Sequence, residues 1–199
     1  EPTYFAAGRL VFGLALRGDV CSGPKRGSRV TYPLREQWYA DLPWPEVETE
    51  AANVALVRSY LGLFGPATPK DVAHYLGAKV TDARGWIKAL EGDLLDVQCG
   101  DRALLALRSD EQALQEAPGD WPLRLLPGFD TALMGHADKH WTVPDEAERK
   151  LVWRKAAIVA AVALHRGVAV ATWKHKARKR DVTVTLSPLS GWSPALLPQ

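Results

Sequence analysis

Apolar residues at Tyr4, Phe5, Leu10, Val11 and Leu14 share one side of a 3.6-residue spiral, so the pattern predicts a helix over 3–17, ended by Gly18. Asp19–Ser22 and Arg29–Pro33 then read as two strands of a hairpin, joined by the loop Gly23-Pro24-Lys25-Arg26-Gly27. "DLPWPEVETE" is a Pro-rich, acidic connector. Thr49 starts a helix whose apolar face holds Val54, Leu56, Val57, Tyr60, Leu61 and Phe64, and Gly65-Pro66 stops it. In "TPKDVAHYLG", Thr68 is a cap, Pro69 takes the first helical position and Gly77 terminates. "VTDARGWIKALEGD" predicts a third helix, capped by Thr81 or Asp82. Two short strands follow, "LLDVQ" and "ALLALR", joined through Cys99-Gly100-Asp101-Arg102.

Helix, short helix, helix, hairpin is the order of a winged helix. The first forty residues repeat its last part: helix, strand, basic loop, strand. After Asp120 the chain reads as β-rich. "AAIVAAVAL" and "GVAVATWKH" pair across His165-Arg166-Gly167, and "DVTVTLSPL" alternates as a third strand, which predicts a small antiparallel sheet or barrel. The expected fold is α+β, with tandem winged-helix (helix-turn-helix) modules and a C-terminal antiparallel β-domain. The first module is incomplete and covers 1–44; the second covers 45–118; the β-domain covers 119–199. An opening without Met, directly on an apolar helix, reads as a fragment or processed product.

Composition changes this picture little: 199 residues, 47% hydrophobic and 24% charged, are ordinary for a globular protein. Cys21 and Cys99 form no CxxC motif and read as reduced thiols, which fits a cytoplasmic compartment. No apolar run is long enough to cross a bilayer, and there is no signal-peptide pattern; Ala156–Leu164 suits a buried strand.

Charge distribution changes it more. The net charge is only +2, but residues 1–40 carry +3, 41–148 carry −10, and 149–180 hold ten Lys/Arg and no acid. Mutual repulsion within such a block is a cost that an anionic partner relieves, and a polyphosphate backbone is the commonest such partner. The candidate DNA contacts are Lys25, Arg26 and Arg29 on the first hairpin, and Lys174, His175, Lys176, Arg178, Lys179 and Arg180 downstream. An extended backbone would point Lys174, Lys176 and Arg178 one way and Lys179 the other. Trp153 and Trp173 lie inside the block as candidates for stacking on unpaired bases; core packing suits most of the other tryptophans. In the second module, Arg84 and Lys88 are offset by Asp82 and Glu91, and its hairpin tip, Gly100-Asp101-Arg102, is nearly neutral. That module reads as a packing unit more than a reading head.

Other chemistry is sparse. His136 and His140, with Asp138 between, have the i, i+4 spacing of metal ligands, but the segment does not read as a helix and no third ligand is apparent, so they read as loop histidines. Asp130 in "GFD" reads as a turn residue bonding local amides. There is no P-loop, GxGxxG or GxSxG motif. No cofactor and no metal are expected.

"YLGLFGPATPKDVAHYLG", "LRLLPGFDTALMGHADK" and "GVAVATW", in this order, resemble the winged-helix DNA-binding family that includes the AlkZ-like DNA glycosylases. The resemblance covers nearly the whole chain. It implies winged helices closed by a β-domain, and excision of bulky alkylated or crosslinked bases. It also implies a Gln–hydrophobic–Gln or Gln–hydrophobic–Asp motif near the start of such proteins, which positions the attacking water. Gln37-Trp38-Tyr39 and Gln98-Cys99-Gly100 do not match that motif, and "QALQ" at 112–115 has the wrong spacing, so no catalytic residue is assigned. Either the catalytic segment lies outside this chain or this member never had it. The expected function is DNA binding, as a fragment or homologue of a DNA-repair glycosylase. The alternatives are a non-enzymatic nucleic-acid-binding or regulatory winged-helix protein and, third, an interaction scaffold using the acidic middle. The expected partner is double-stranded DNA, with no membrane, for a monomer that is cytoplasmic and nucleoid-associated.

Overall fold

The computed structural model describes residues 2–43, 46–116, 119 and 121–196, with side chains from Gly8 onward. The chain forms two compact units, 1–47 and 48–199.

The first unit opens with α1 (Pro2–Leu16). The expected side chains Tyr4 and Phe5 lie outside the described ones; Val11 and Leu14 are half-buried, while Leu10 is exposed. The hairpin that follows is an irregular ladder with no continuous strand. Val20 bridges Leu34, the Gly23 amide donates to Thr31 O at 2.9 Å, and Arg26 bridges Arg29. Pro24 and Pro33 have no amide to donate, which breaks the ladder where regular strands were expected. A short helix, α2 (Arg35–Trp38), ends the unit's regular structure.

The second unit begins with the three expected helices, α3 (Thr49–Phe64), α4 (Pro69–Leu76) and α5 (Val80–Lys88). The start of α4 is a capping box: Thr68 Oγ1 accepts from the Asp71 amide, and the Asp71 carboxylate accepts from the Thr68 amide. Gly77 ends α4 at φ +65°, a conformation that favours glycine. Neither Thr81 nor Asp82 caps α5. They bond to each other instead, and the helix starts after Lys79 without a side-chain cap. The hairpin is β1 (Leu94–Cys99) paired antiparallel with β2 (Arg102–Leu107). Val57, Tyr60, Leu61, Val72, Ala83 and Ile87 pack with Leu94 and Leu107 into one core.

A short helix, α6 (Glu111–Gln115), leads toward β3 (Arg124–Leu126). Two helices that the β-rich pattern did not predict come next, α7 (Thr131–Met134) and α8 (Glu146–Val152). The remaining strands are β4 (Trp153–Arg154), β5 (Ile158–Val159), β6 (Val162–His165), β7 (Val168–Ala177) and β8 (Val182–Pro188). Antiparallel pairing orders four of them as β3-β6-β7-β8, and β4 pairs separately with β5. The expected single strand in Ala156–Leu164 is broken. Ala156 and Ala157 sit at φ +60° and +55°, so the run turns and serves two sheets. Val162 and Ala169 pack with Leu133, Val143 and Val152, while Ala163, Val170 and Ala171 form a second cluster with Leu186 and Trp192. The centre of the sheet is therefore covered on both faces. Among the described residues no helix is long and apolar enough to cross a membrane.

Candidate nucleic-acid interface

The downstream basic run folds into the β7–β8 hairpin. Directly opposed residues share a face, so the register sorts the side chains. Lys174 opposes Thr185 and Lys176 opposes Thr183, giving one polar, cationic face. Trp173 opposes Leu186, His175 opposes Val184 and Ala177 opposes Val182, giving an apolar opposite face. The expected row of Lys174, Lys176 and Arg178 does not extend to its third member, because β7 ends at Ala177. Arg178 begins the turn, donating its amide to Asp181 O at 2.7 Å, and Lys179 and Arg180 complete the tip. Lys174, His175, Lys176, Arg178, Lys179 and Arg180 are all exposed.

These cations have no carboxylate partner among the described residues, whose ion pairs are Arg17–Asp19, Arg58–Asp93 and Arg102–Asp138. Among the described residues, therefore, no acid of the 41–148 stretch pairs with the hairpin. The two tryptophans of the basic block are engaged within the protein. Trp173 is half-buried and donates Nε1–H to Leu126 O at 2.8 Å, with its ring 5.8 Å from that of His175. Trp153 donates to Leu133 O at 3.2 Å and packs against the sheet core. Both indoles hold the fold.

The first hairpin places its tip later than expected. Arg26 and Arg29 exchange two backbone hydrogen bonds, of 2.9 and 3.2 Å, around Gly27-Ser28, and Gly27 takes φ +63°. Arg26 and Arg29 thus flank the turn, while Lys25 stands one residue back; all three are exposed. Thr31 Oγ1 donates to Pro24 O at 2.7 Å and ties the base of the loop.

A third polar cluster, of which the sequence pattern singles out only His136, Asp138 and His140, joins α4 and the β1–β2 turn to the segment 135–141. Asp71 is 2% exposed and has a full set of donors: the Thr68 amide, Thr68 Oγ1 and, at 2.8 Å, the Ala137 amide. Burial pushes this carboxyl up, but those hydrogen bonds and the nearby His136 outweigh it and hold the carboxyl below its ordinary value. Asp138 accepts from the His140 amide and pairs with Arg102 at 2.7 Å, and the two hold its carboxyl down as well. Lys139 Nζ donates to Leu133 O and His136 O and lies 5.4 Å from the centre of the Trp153 ring. Burial lowers its pKa, and the charge of Asp71 only partly opposes that shift. The sequence signal for Asp71 was the capping-box spacing Thr68-x-x-Asp71, which predicts the local bonds and not the burial.

The reading of Asp130 as a turn residue bonding local amides is met. Asp130 Oδ1 accepts from the Ala132 amide at 2.9 Å and caps α7. His136 and His140 take part in no group of three or more potential metal-binding residues among the described residues.

Comparison with known proteins adds identity to this geometry. Residues 5–199 match the family described as "DNA glycosylase AlkZ-like". An "Interstrand DNA cross-link repair glycosylase" of Streptomyces sahachiroi is 30% identical over 172 residues, covering 84% of this chain and 46% of that protein. The solved "Streptomyces sahachiroi DNA glycosylase AlkZ" superposes with a TM-score of 0.78 at 26% identity, covering 93% of this chain and 49% of that one. The chain thus spans about half the length of these relatives.

Proposed function

The chain belongs to the AlkZ-like DNA glycosylase family, and we propose that it supplies the DNA-holding part of a repair glycosylase acting on alkylated or crosslinked bases. One observation carries the binding reading: five cations on one exposed hairpin, Lys174, Lys176, Arg178, Lys179 and Arg180, with no carboxylate partner among the described residues. Five like charges within seven residues repel one another, and double-stranded DNA offers a matching row of phosphates. Such contacts position a duplex without reading its sequence.

In this reading α3, α4, α5 and the β1–β2 hairpin form a winged helix that serves as scaffold. The hairpin from Val20 to Leu34 is the wing of a preceding one, with Lys25, Arg26 and Arg29 as its phosphate contacts. The protein acts on DNA as a monomer in the cytoplasm, in association with the nucleoid.

The test is a duplex titration at several salt concentrations. If about five phosphates are neutralised, log K against log salt falls with a slope of roughly −4 to −5, with little dependence on DNA sequence. Absence of binding even at low salt would overturn the reading.

A further inference from the structure

A cavity of about 360 Å³ opens beside the start of α4, lined by Lys70, Arg102, Lys139 and Arg149 together with Asp71 and Asp138. Four cations face two carboxylates, which leaves two positive charges in excess. Both carboxylates are already committed. Asp71 spends its oxygens on Thr68 and Ala137, and Asp138 spends its own on Arg102 and the His140 amide.

Three of the cations are held in place before any ligand arrives. Arg102 is fixed by Asp138 and lies 4.5 Å over the centre of the Trp141 ring. Arg149 donates to Val143 O at 2.9 Å and to Pro144 O at 2.8 Å. Lys139 is held by two carbonyl oxygens, and each of these side chains is half-buried. Their ordering cost is met in the free protein, so an anion arriving between them need not immobilise them again. Lys70 is exposed at the rim and has no ion-pair partner among the described residues. Carbonyl oxygens satisfy Lys139 and Arg149 as donors but carry no full negative charge, so their positive charge stays under-neutralised.

We propose that this cavity is a binding site for a phosphate group, gripped by Lys139, Arg102 and Arg149 and closed at its rim by Lys70. Planar guanidinium groups suit the oxygens of a phosphate, and the ammonium groups add point charges. The site is distinct from the β7–β8 hairpin and does not depend on the repair reading. Its phosphate can come from a nucleic-acid backbone or from a free phosphate ester, and the chemistry of recognition is the same.

The probe is inorganic phosphate, titrated into the whole chain at constant ionic strength while backbone amide resonances are followed. Saturable shifts are expected at Ala137, Asp138 and Lys139. Lys70→Glu, at an exposed position, should weaken phosphate binding by about tenfold or more, while Lys79→Ala, at an exposed position that does not line the cavity, leaves it unchanged. A DNA duplex is then added. Displacement of phosphate from the cavity identifies the source as a backbone phosphate; simultaneous binding of duplex and phosphate identifies a free ester. Absence of a saturable shift at 137–139, or equal affinity in Lys70→Glu, overturns the site. A duplex that fails to bind at all overturns the repair reading and leaves the phosphate result standing.

Discussion

The carboxylate of Asp71 accepts a hydrogen bond from the backbone amide of Ala137, 66 residues later, at 2.8 Å. The same carboxylate closes the capping box of α4. One buried acid therefore sets the start of a helix and fastens it to the segment leading into the sheet. Asp71→Ala leaves two amides and a hydroxyl without their acceptor. The expected loss is about 3 kcal/mol of unfolding free energy, measured by urea denaturation.

The same group makes an acid-sensitive contribution to stability. Its folded pKa lies below the ordinary 3.8. The stabilisation is therefore complete above that value and is lost as pH falls through the lower folded value. Asp71→Asn keeps the shape and removes the charge. Its deficit against the parent should be constant near neutrality and shrink as pH drops below 3.8. A deficit unchanged down to the acid transition would show that the charge contributes nothing.

Tyr60 provides a second fastening at the same junction, donating its hydroxyl to Gly135 O at 2.9 Å from a side chain 1% exposed. Tyr60→Phe should cost about 1–2 kcal/mol, because the carbonyl of Gly135 is left buried without a donor. Gly135→Ala tests the packing there. A Cβ would stand 2.6 Å from Phe64 Cδ1, so Phe64 must shift, at about 1–3 kcal/mol. Equilibrium unfolding of each variant checks both values. If the two effects add without coupling, the hydroxyl and the ring contact act independently.

Helices α3, α4 and α5 were legible because their signals are local. Thr68, Pro69 and Gly77 each act within one turn of α4, and the apolar spacing of Val57, Tyr60 and Leu61 needs only the helical period. The burial of Asp71 was not legible, since its cause is an amide 66 residues away. The break in Ala156–Leu164 was hidden because two alanines at positive φ leave no mark in an apolar run. The signal for α8 was present: Asp145 accepts from the Ala147 and Glu148 amides as an N-cap, but strand-like flanks masked it. The basic run was plain from composition. The end of its strand depends on the pairing of Ala177 with Val182, a tertiary fact.

That pairing decides the final prediction. Lys174 and Lys176 lie on one face of the β7–β8 hairpin, and Arg178 opens its turn. The three form a staircase from the face to the tip, whereas Lys25 and Arg26 offer two cations on the first hairpin, one of them beside the turn. Removing one phosphate-binding cation should reduce the salt slope by about 1. The triple change Lys174→Ala, Lys176→Ala, Arg178→Ala is therefore expected to flatten the slope by about 3 and to weaken duplex binding more than Lys25→Ala with Arg26→Ala, which should flatten it by about 2. All five side chains are exposed and make no ion pair among the described residues, so neither variant should move the melting temperature appreciably. The check is a salt series by fluorescence anisotropy, with thermal denaturation run on the same samples. Normal binding by the triple variant, with loss in the double, would assign the phosphate-binding role to the first hairpin and leave the β7–β8 hairpin a structural one.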